Sequence, residues 1–254
     1  NTIDRTFTEY QNRIGHLELM AESLSVRAGL TVEQRSRGIY SVPVYDGDYT
    51  LQGTFDLSTL AARQREITGF VSFKTPRVVV PISDLRGIGD DPQLSLAGEA
   101  RQFEPGGSLP DLGNGIHAPL AGIELDGELE FSIDLNLRGS VSLHFIPLAG
   151  NASLSLSANW PHPKFTGRFL PKHREIREDG FAAEWQVSDF STGAGALLQQ
   201  CGDSLCGDFR HLKLGVDLIE TVDIYTRADR ATKYGVLFVI LTFVAFFLTE
   251  TLTN

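Results

Sequence analysis

Over much of this chain apolar and polar residues alternate with period two, the pattern of half-buried antiparallel strands. Runs at 39–45, 49–57, 70–73, 77–82, 123–137, 141–146 and 152–158 each predict a strand. Turn-forming groups predict the breaks: Asp46-Gly47, Gly89-Asp90-Asp91-Pro92, Gly106-Gly107, Asp126-Gly127 and Gly150-Asn151. Asp126-Gly127 lies between two alternating runs and therefore predicts a hairpin. Helix signals are few. Segments 57–65 and 170–176 read as short single helices, and 222–248 as a longer one.

The pattern predicts a mainly β fold: an antiparallel β-sandwich-like domain over residues 1–221, then a helical segment entering a membrane over 222–254. The domain also carries signs of an internal repeat. Arg37-Gly38, Val42-Pro43, Arg65-Glu66-Ile67, Gly69-Phe70 and Ser83-Asp84 recur in the same order as Arg138-Gly139, Ile146-Pro147, Arg174-Glu175-Ile176, Gly180-Phe181 and Ser188-Asp189. A true duplication predicts two similar β units, near 37–90 and 138–192.

The strongest hydrophobic signal is at the C-terminal end. Residues 235–248 read GVLFVILTFVAFFL, uncharged and broken only by Thr242. As a helix this run covers about 21 Å, short of the roughly 30 Å hydrocarbon core, and a run of that length also suits a buried core helix. Phe238, Phe243, Phe246 and Phe247, however, cover the whole circumference rather than one stripe. Arg227, Arg230, Lys233 and Tyr234 precede the run as interface anchors do. The expectation is a truncated transmembrane helix, with Glu250 inside the bilayer or at its far edge. Asn1 begins the chain without Met or an apolar leader, so a removed signal or an excised middle portion is expected.

Charge narrows the partners. A net charge of −10 argues against nucleic acid and against adsorption on anionic lipid through a basic face. The positive island before the helix is 164–177, with Arg168, Lys172, His173, Arg174 and Arg177; it reads as a solvated connector or as a contact for headgroups or an acidic partner. Cys201 and Cys206 enclose a short Gly-containing loop that suits a disulfide and hence an oxidising compartment; free thiols are the alternative, and further metal ligands are missing.

Signals for catalysis are weak. The six histidines include no helical i, i+4 pair with an intervening Glu. A nucleophile elbow, a phosphate-binding loop and a dinucleotide fingerprint are all missing. His144 alternates within a strand. Trp160-Pro161-His162-Pro163 predicts an exposed corner, either structural or a rigid aromatic–imidazole contact for a partner. No catalytic set, metal or cofactor is expected.

Three stretches resemble the bacterial inner-membrane CreD family, also described as cell-envelope integrity or colicin-tolerance proteins: 37–55 (RGIYSVPVYDGDYTLQGTF), 159–190 (NWPHPKFTGRFLPKHREI to VSDF) and 222–250 (VDIYTRADRATKYGVLFVILTFVAFFLTE). The resemblance implies an N-terminal anchor, a large periplasmic domain and further membrane helices, of which this chain holds the middle. It places the β domain in the periplasm of the inner membrane, and it carries an association with envelope stress and altered tolerance to colicins and β-lactams. It brings no catalytic residues. The reading is a non-enzymatic envelope protein that binds or scaffolds other envelope proteins, lipid or glycan beside the bilayer. The alternatives are a lipid or amphiphile carrier, which needs an apolar cavity, and a periplasmic hydrolase.

Overall fold

The computed structural model describes residues 19–37, 40–58, 76–106, 114–123, 126–201, 208–219 and 221–253. It is mainly β, with antiparallel-rich sheets and one long apolar helix at the C-terminal end. The strands are β1 (Ala21–Arg37), β2 (Tyr40–Asp56), β3 (Arg77–Pro81), β4 (Gln93–Leu96), β5 (Glu99–Gln102), β6 (Glu104–Pro105) and β7 (Gly115–Pro119). They continue as β8 (Glu128–Ser140), β9 (Ser142–Phe145), β10 (Ala149–Ala158), β11 (Pro163–Gly167), β12 (His173–Arg177), β13 (Gly180–Ser188) and β14 (Leu214–Leu218). Helices α1 (Asp189–Thr192) and α2 (Ala194–Cys201) follow β13, and α3 (Thr221–Thr253) follows β14. The chain divides into two compact units, Asn1–Leu218 and Ile219–Asn254.

Eight strands form one sheet in the order β12-β13-β10-β1-β2-β8-β4-β5. Two three-stranded sheets, β11-β14-β9 and β3-β7-β6, complete the β unit. Their inward residues Leu143, Leu214, Val216, Val78 and Ala118 share one core with Val26, Leu30, Ile133, Leu156 and Trp185 of the large sheet. Phe165 of β11 meets Phe181 and Trp185 of β13 edge-on at 5.7 and 5.8 Å. Tyr49 of β2 lies 6.0 Å from Phe145 of β9. Full burial of each such aliphatic or aromatic side chain stabilises the fold by roughly 1.5–3 kcal/mol.

Several expectations change. Asp46-Gly47 is not a turn but the middle of β2, a 17-residue strand paired on both sides. Gly47 is needed there for space, since a Cβ would sit 2.6 Å from Leu30 and 2.8 Å from the Tyr49 hydroxyl oxygen. Gly150-Asn151 likewise lies within β10 rather than in a turn. Residues 170–176 do not form a helix: His173–Arg177 is edge strand β12, hydrogen-bonded to β13. Its sequence offers no apolar stripe for a helix to bury, and the Glu178-Asp179 turn returns the chain directly along β13.

Asp126-Gly127 does bend the chain, with Gly127 at φ 72°. Among the described residues no hairpin forms there, because β8 pairs with β2 and β4 rather than with the preceding strand β7. One pair also departs from the antiparallel pattern: β1 and β10 run parallel, Ala21 opposite Ala149 through Leu30 opposite Ala158. The runs at 59–65 and 70–73 lie outside the described residues, as does part of the first repeat unit. Of the recurring signatures, Val42-Pro43 sits inside a strand, whereas Ile146-Pro147 separates β9 from β10.

One non-glycine residue steers the topology. Val141 takes φ 67°, a strained conformation for a β-branched side chain. It moves the chain from β8 in the large sheet to β9 in a small one. Its N–H donates to Pro43 O at 3.0 Å, and its carbonyl accepts from Leu218 N at 2.7 Å. Leu218 ends β14, so the chain leaves the β unit beside Val141 and Pro43.

Candidate functional site

The outer face of the large sheet is polar. Directly opposed residues in neighbouring strands point to the same face, so the registers of β13, β10, β1 and β2 define rows across it. Gln186, Ser153, Ser25 and Gln52 form one row, and Ser188, Asn151, Ser23 and Thr54 the next. The Ser23 and Thr54 hydroxyl oxygens are 2.9 Å apart. Small side chains in the middle and longer ones at the margin leave a trough of about 600 Å³, open to solvent.

Lys172 stands at the margin of this trough, its Nζ donating to Gln186 Oε1 at 3.2 Å. Its backbone N–H donates to Glu184 O at 2.7 Å, which ties the preceding loop to β13. The row between the two polar rows, Leu24, Ala152 and Val187, turns its side chains to the core, and among the described residues none that lines the trough is acidic. Phe190, fully exposed, stands two residues beyond Ser188. Of this group the sequence pattern singles out Lys172 alone. The missed signal was Ser153, Ser155 and Ser157 alternating with leucine and alanine: small polar residues on the outward positions of a central strand.

The Trp160–Pro163 corner joins the large sheet at β10 to the β11-β14-β9 sheet. Asn159 anchors it: its Oδ1 accepts from Val32 N at 2.6 Å, and its Nδ2 donates to Val32 O at 3.3 Å. Pro163 opens β11 opposite Leu218. Trp160 is partly buried and packed against the core, its indole nitrogen buried without a partner among the described residues. Only His162 of the corner is exposed.

His144 sits on the outer face of the small sheet. Gly215 lies between it and Thr166 in register, and with no side chain there the two meet across β14. His144 Nε2 is 2.9 Å from Thr166 Oγ1 and 3.4 Å from Asp217 Oδ1. Burial, chiefly, and the nearby Lys213 push its pKa down, against the pull of Asp217. Both oxygens face the same ring nitrogen, whereas a relay needs the carboxylate on the other one. Across β2 and β8, Asp46 accepts from Asn136 Nδ2 at 2.6 Å and from Arg138 Nε at 2.8 Å. These bonds hold its carboxyl below the usual range and account for Asp46 as a sheet-face staple.

Among the described residues no group of three or more His, Cys, Asp or Glu could hold a metal ion. Cys201 ends α2, but its side chain and Cys206 lie outside the described residues, and so does the disulfide reading.

Helix α3 runs 33 residues. Ala231–Leu252, 22 residues with mean hydropathy 2.2, is long and apolar enough to cross a membrane. The span is longer than the uncharged run because it takes in the flanking residues 231–234 and 249–252, and its threonines fold back on the helix. Thr242 donates to Phe238 O, Thr249 to Phe246 O and Thr251 to Phe247 O at 2.7–2.8 Å, so no hydroxyl of these three is left unsatisfied in hydrocarbon. Lys233 pairs with Asp229 at 2.9 Å, and Tyr234 and Glu250 are exposed on the helix surface. The Arg227 and Arg230 side chains lie outside the described residues.

Residues 2–254 match the family described as inner membrane protein CreD. The chain is 38% identical over 235 residues to inner membrane protein CreD of Escherichia coli strain K12, covering 92% of this chain and 51% of that protein. It thus spans about half the length of this curated relative. Among solved structures it aligns with an M1 zinc metallopeptidase from Deinococcus radiodurans at TM-score 0.34 and 10% identity, over 68% of this chain and 39% of that one. It aligns with native leukotriene A4 hydrolase from Saccharomyces cerevisiae at TM-score 0.38 and 12% identity, over 70% and 28%. Likenesses this distant bear on neither fold nor chemistry. The family match runs nearly the whole length of the chain and ends in a helix able to cross a membrane, and on that ground the chain belongs to the CreD family of inner membrane proteins.

Proposed function

We propose that this chain is the membrane-tethered binding or scaffolding module of a non-enzymatic envelope protein, with its β unit on the periplasmic side. The observation that carries the reading is the junction: β14 ends at Leu218 and α3, with its membrane-length span, begins at Thr221. So short a link tethers the β unit to the helix that carries the span. The carrier alternative receives no support, because the trough opens to solvent and hydroxyl and amide groups line much of it, where a lipid chain needs enclosure. The hydrolase alternative is disfavoured by His144, whose hydroxyl and carboxylate neighbours crowd one nitrogen.

Two experiments on the full chain in cells test the proposal. With Cys201 and Cys206 replaced by Ser, a Ser155→Cys variant should react with a membrane-impermeant maleimide in intact spheroplasts; labelling only after lysis would overturn the periplasmic placement. A photo-crosslinking residue at Thr50, on the outer sheet face, should capture an envelope component. An absence of adducts there and at His162 would overturn the binding reading.

A further inference from the structure

We infer that the trough on the outer face of the large sheet is a binding site for an acidic glycan, a sugar chain carrying carboxylates. This rests on the binding reading above and gives it a ligand class.

The trough lies in the interior of a sheet, between β13, β10, β1 and β2. There the backbone groups of β10, β1 and β2 are consumed by ladders on both sides, while Gln186 to Ser188 of β13 pair with β10 alone, beyond the end of β12. An extended peptide that adds to a sheet does so at an edge, through unpaired backbone groups, so the three inner strands offer a peptide little. What it does offer is Ser23, Ser25, Ser153 and Ser188 hydroxyls with Gln52, Asn151 and Gln186 amides, a set of donors and acceptors that suits the hydroxyls of a sugar. Four strands at a spacing of about 4.8 Å make the trough roughly 14 Å across, the length of a short oligosaccharide.

Charge selects among glycans. The chain has 32 acidic residues and a net charge of −10, yet among the described residues none that lines the trough is acidic and one, Lys172, is cationic. A carboxylate on the sugar would replace the neutral Gln186 oxygen as partner of the Lys172 ammonium, a stronger, charge-assisted bond.

The test is calorimetric titration of the full chain in nanodiscs of zwitterionic lipid. The probe is an oligosaccharide alternating N-acetylglucosamine with N-acetylmuramic acid, whose lactyl groups carry the carboxylates; the N-acetylglucosamine oligomer of equal length is the neutral control. The expected result is binding of the carboxylated chain at least five-fold tighter than the control, weakened about ten-fold by Lys172→Gln. Ser153→Trp, which fills the trough, should abolish it, while Ser157→Trp, on the same face of the same strand but outside the trough, should not. Should Ser153→Trp fail to fold, Lys172→Gln on its exposed loop decides between the same two outcomes. Equal binding of both sugars, no binding, or binding that survives Ser153→Trp overturns the inference, as does a response only to anionic lipid added to the discs. Thr50 adducts in cells without sugar binding would sink the glycan alone; their absence as well would sink the binding reading with it.

Discussion

The inner and outer faces of the eight-stranded sheet are made by the same strands, and β10 shows how differently they are used. Leu154, Leu156 and Ala158 point inward and are buried; Ser153, Ser155 and Ser157 point outward and are exposed. Inward positions carry the packing on which the fold depends. Outward ones need only tolerate a strand, and here they are smaller than solubility demands, since Lys, Glu or Thr would serve as well on an exposed central strand. A face that is small and polar across four neighbouring strands becomes a hollow. Packing and solvent exposure have thus been assigned to opposite sides of one sheet.

The contrast breaks most sharply at Leu156, which has no exposed surface. Leu156→Ala should cost about 3 kcal/mol, read from chemical unfolding of the chain in detergent by tryptophan fluorescence. Next comes Gly215→Ala in β14, where a Cβ would meet Leu143 O at 2.1 Å; about 2 kcal/mol is expected from overpacking. An unchanged unfolding midpoint would mean that β14 and β9 are not paired as described.

A smaller effect depends on pH. Folded His144 holds its pKa below the ordinary 6.5, mainly through burial. Once pH falls below that value the unfolded chain takes up a proton that the folded chain resists, so stability declines until pH passes the lowered folded pKa. Unfolding midpoints should therefore fall as pH drops below about 6.5, and His144→Gln should flatten that part of the profile; an identical slope in the variant would remove His144 as its source. Smallest of all, Ser155→Ala should shift stability by no more than about 0.5 kcal/mol. A loss close to that of Leu156→Ala would show that the outer face also carries the fold.

Alternation made much of this legible in advance. The stretches 77–82, 141–146 and 152–158 correspond closely to β3, β9 and β10, and the apolar run at 235–248 lies within the membrane-length helix. Turn chemistry misled wherever long-range pairing overrode it. Asp46-Gly47 has the local preferences of a hairpin, but partners on both sides and the Asn136 and Arg138 bonds to Asp46 hold it extended. Strand β1 went unread although Val26, Ala28, Leu30 and Val32 alternate cleanly, because its 17 residues contain no turn signal to frame them. The trough was not legible at all. Its floor joins residues 23–25, 52, 151–153 and 186–188, which only strand order brings together.

That strand order has a consequence for biosynthesis. β1 takes β2 along one edge within moments of emerging, but its other edge waits for β10, with Ala21 paired to Ala149, 128 positions later (149 − 21). At roughly 5–20 residues per second, a nascent chain spends about 6–25 s with that edge unfilled. Throughout that interval a long hairpin bears a row of open donors and acceptors beside an apolar face, a template for any passing strand. The β10-β13-β12 half of the sheet attaches through that one parallel seam, so contact order at this seam, more than at any other, should govern how quickly the domain folds and how much of it is lost to aggregation.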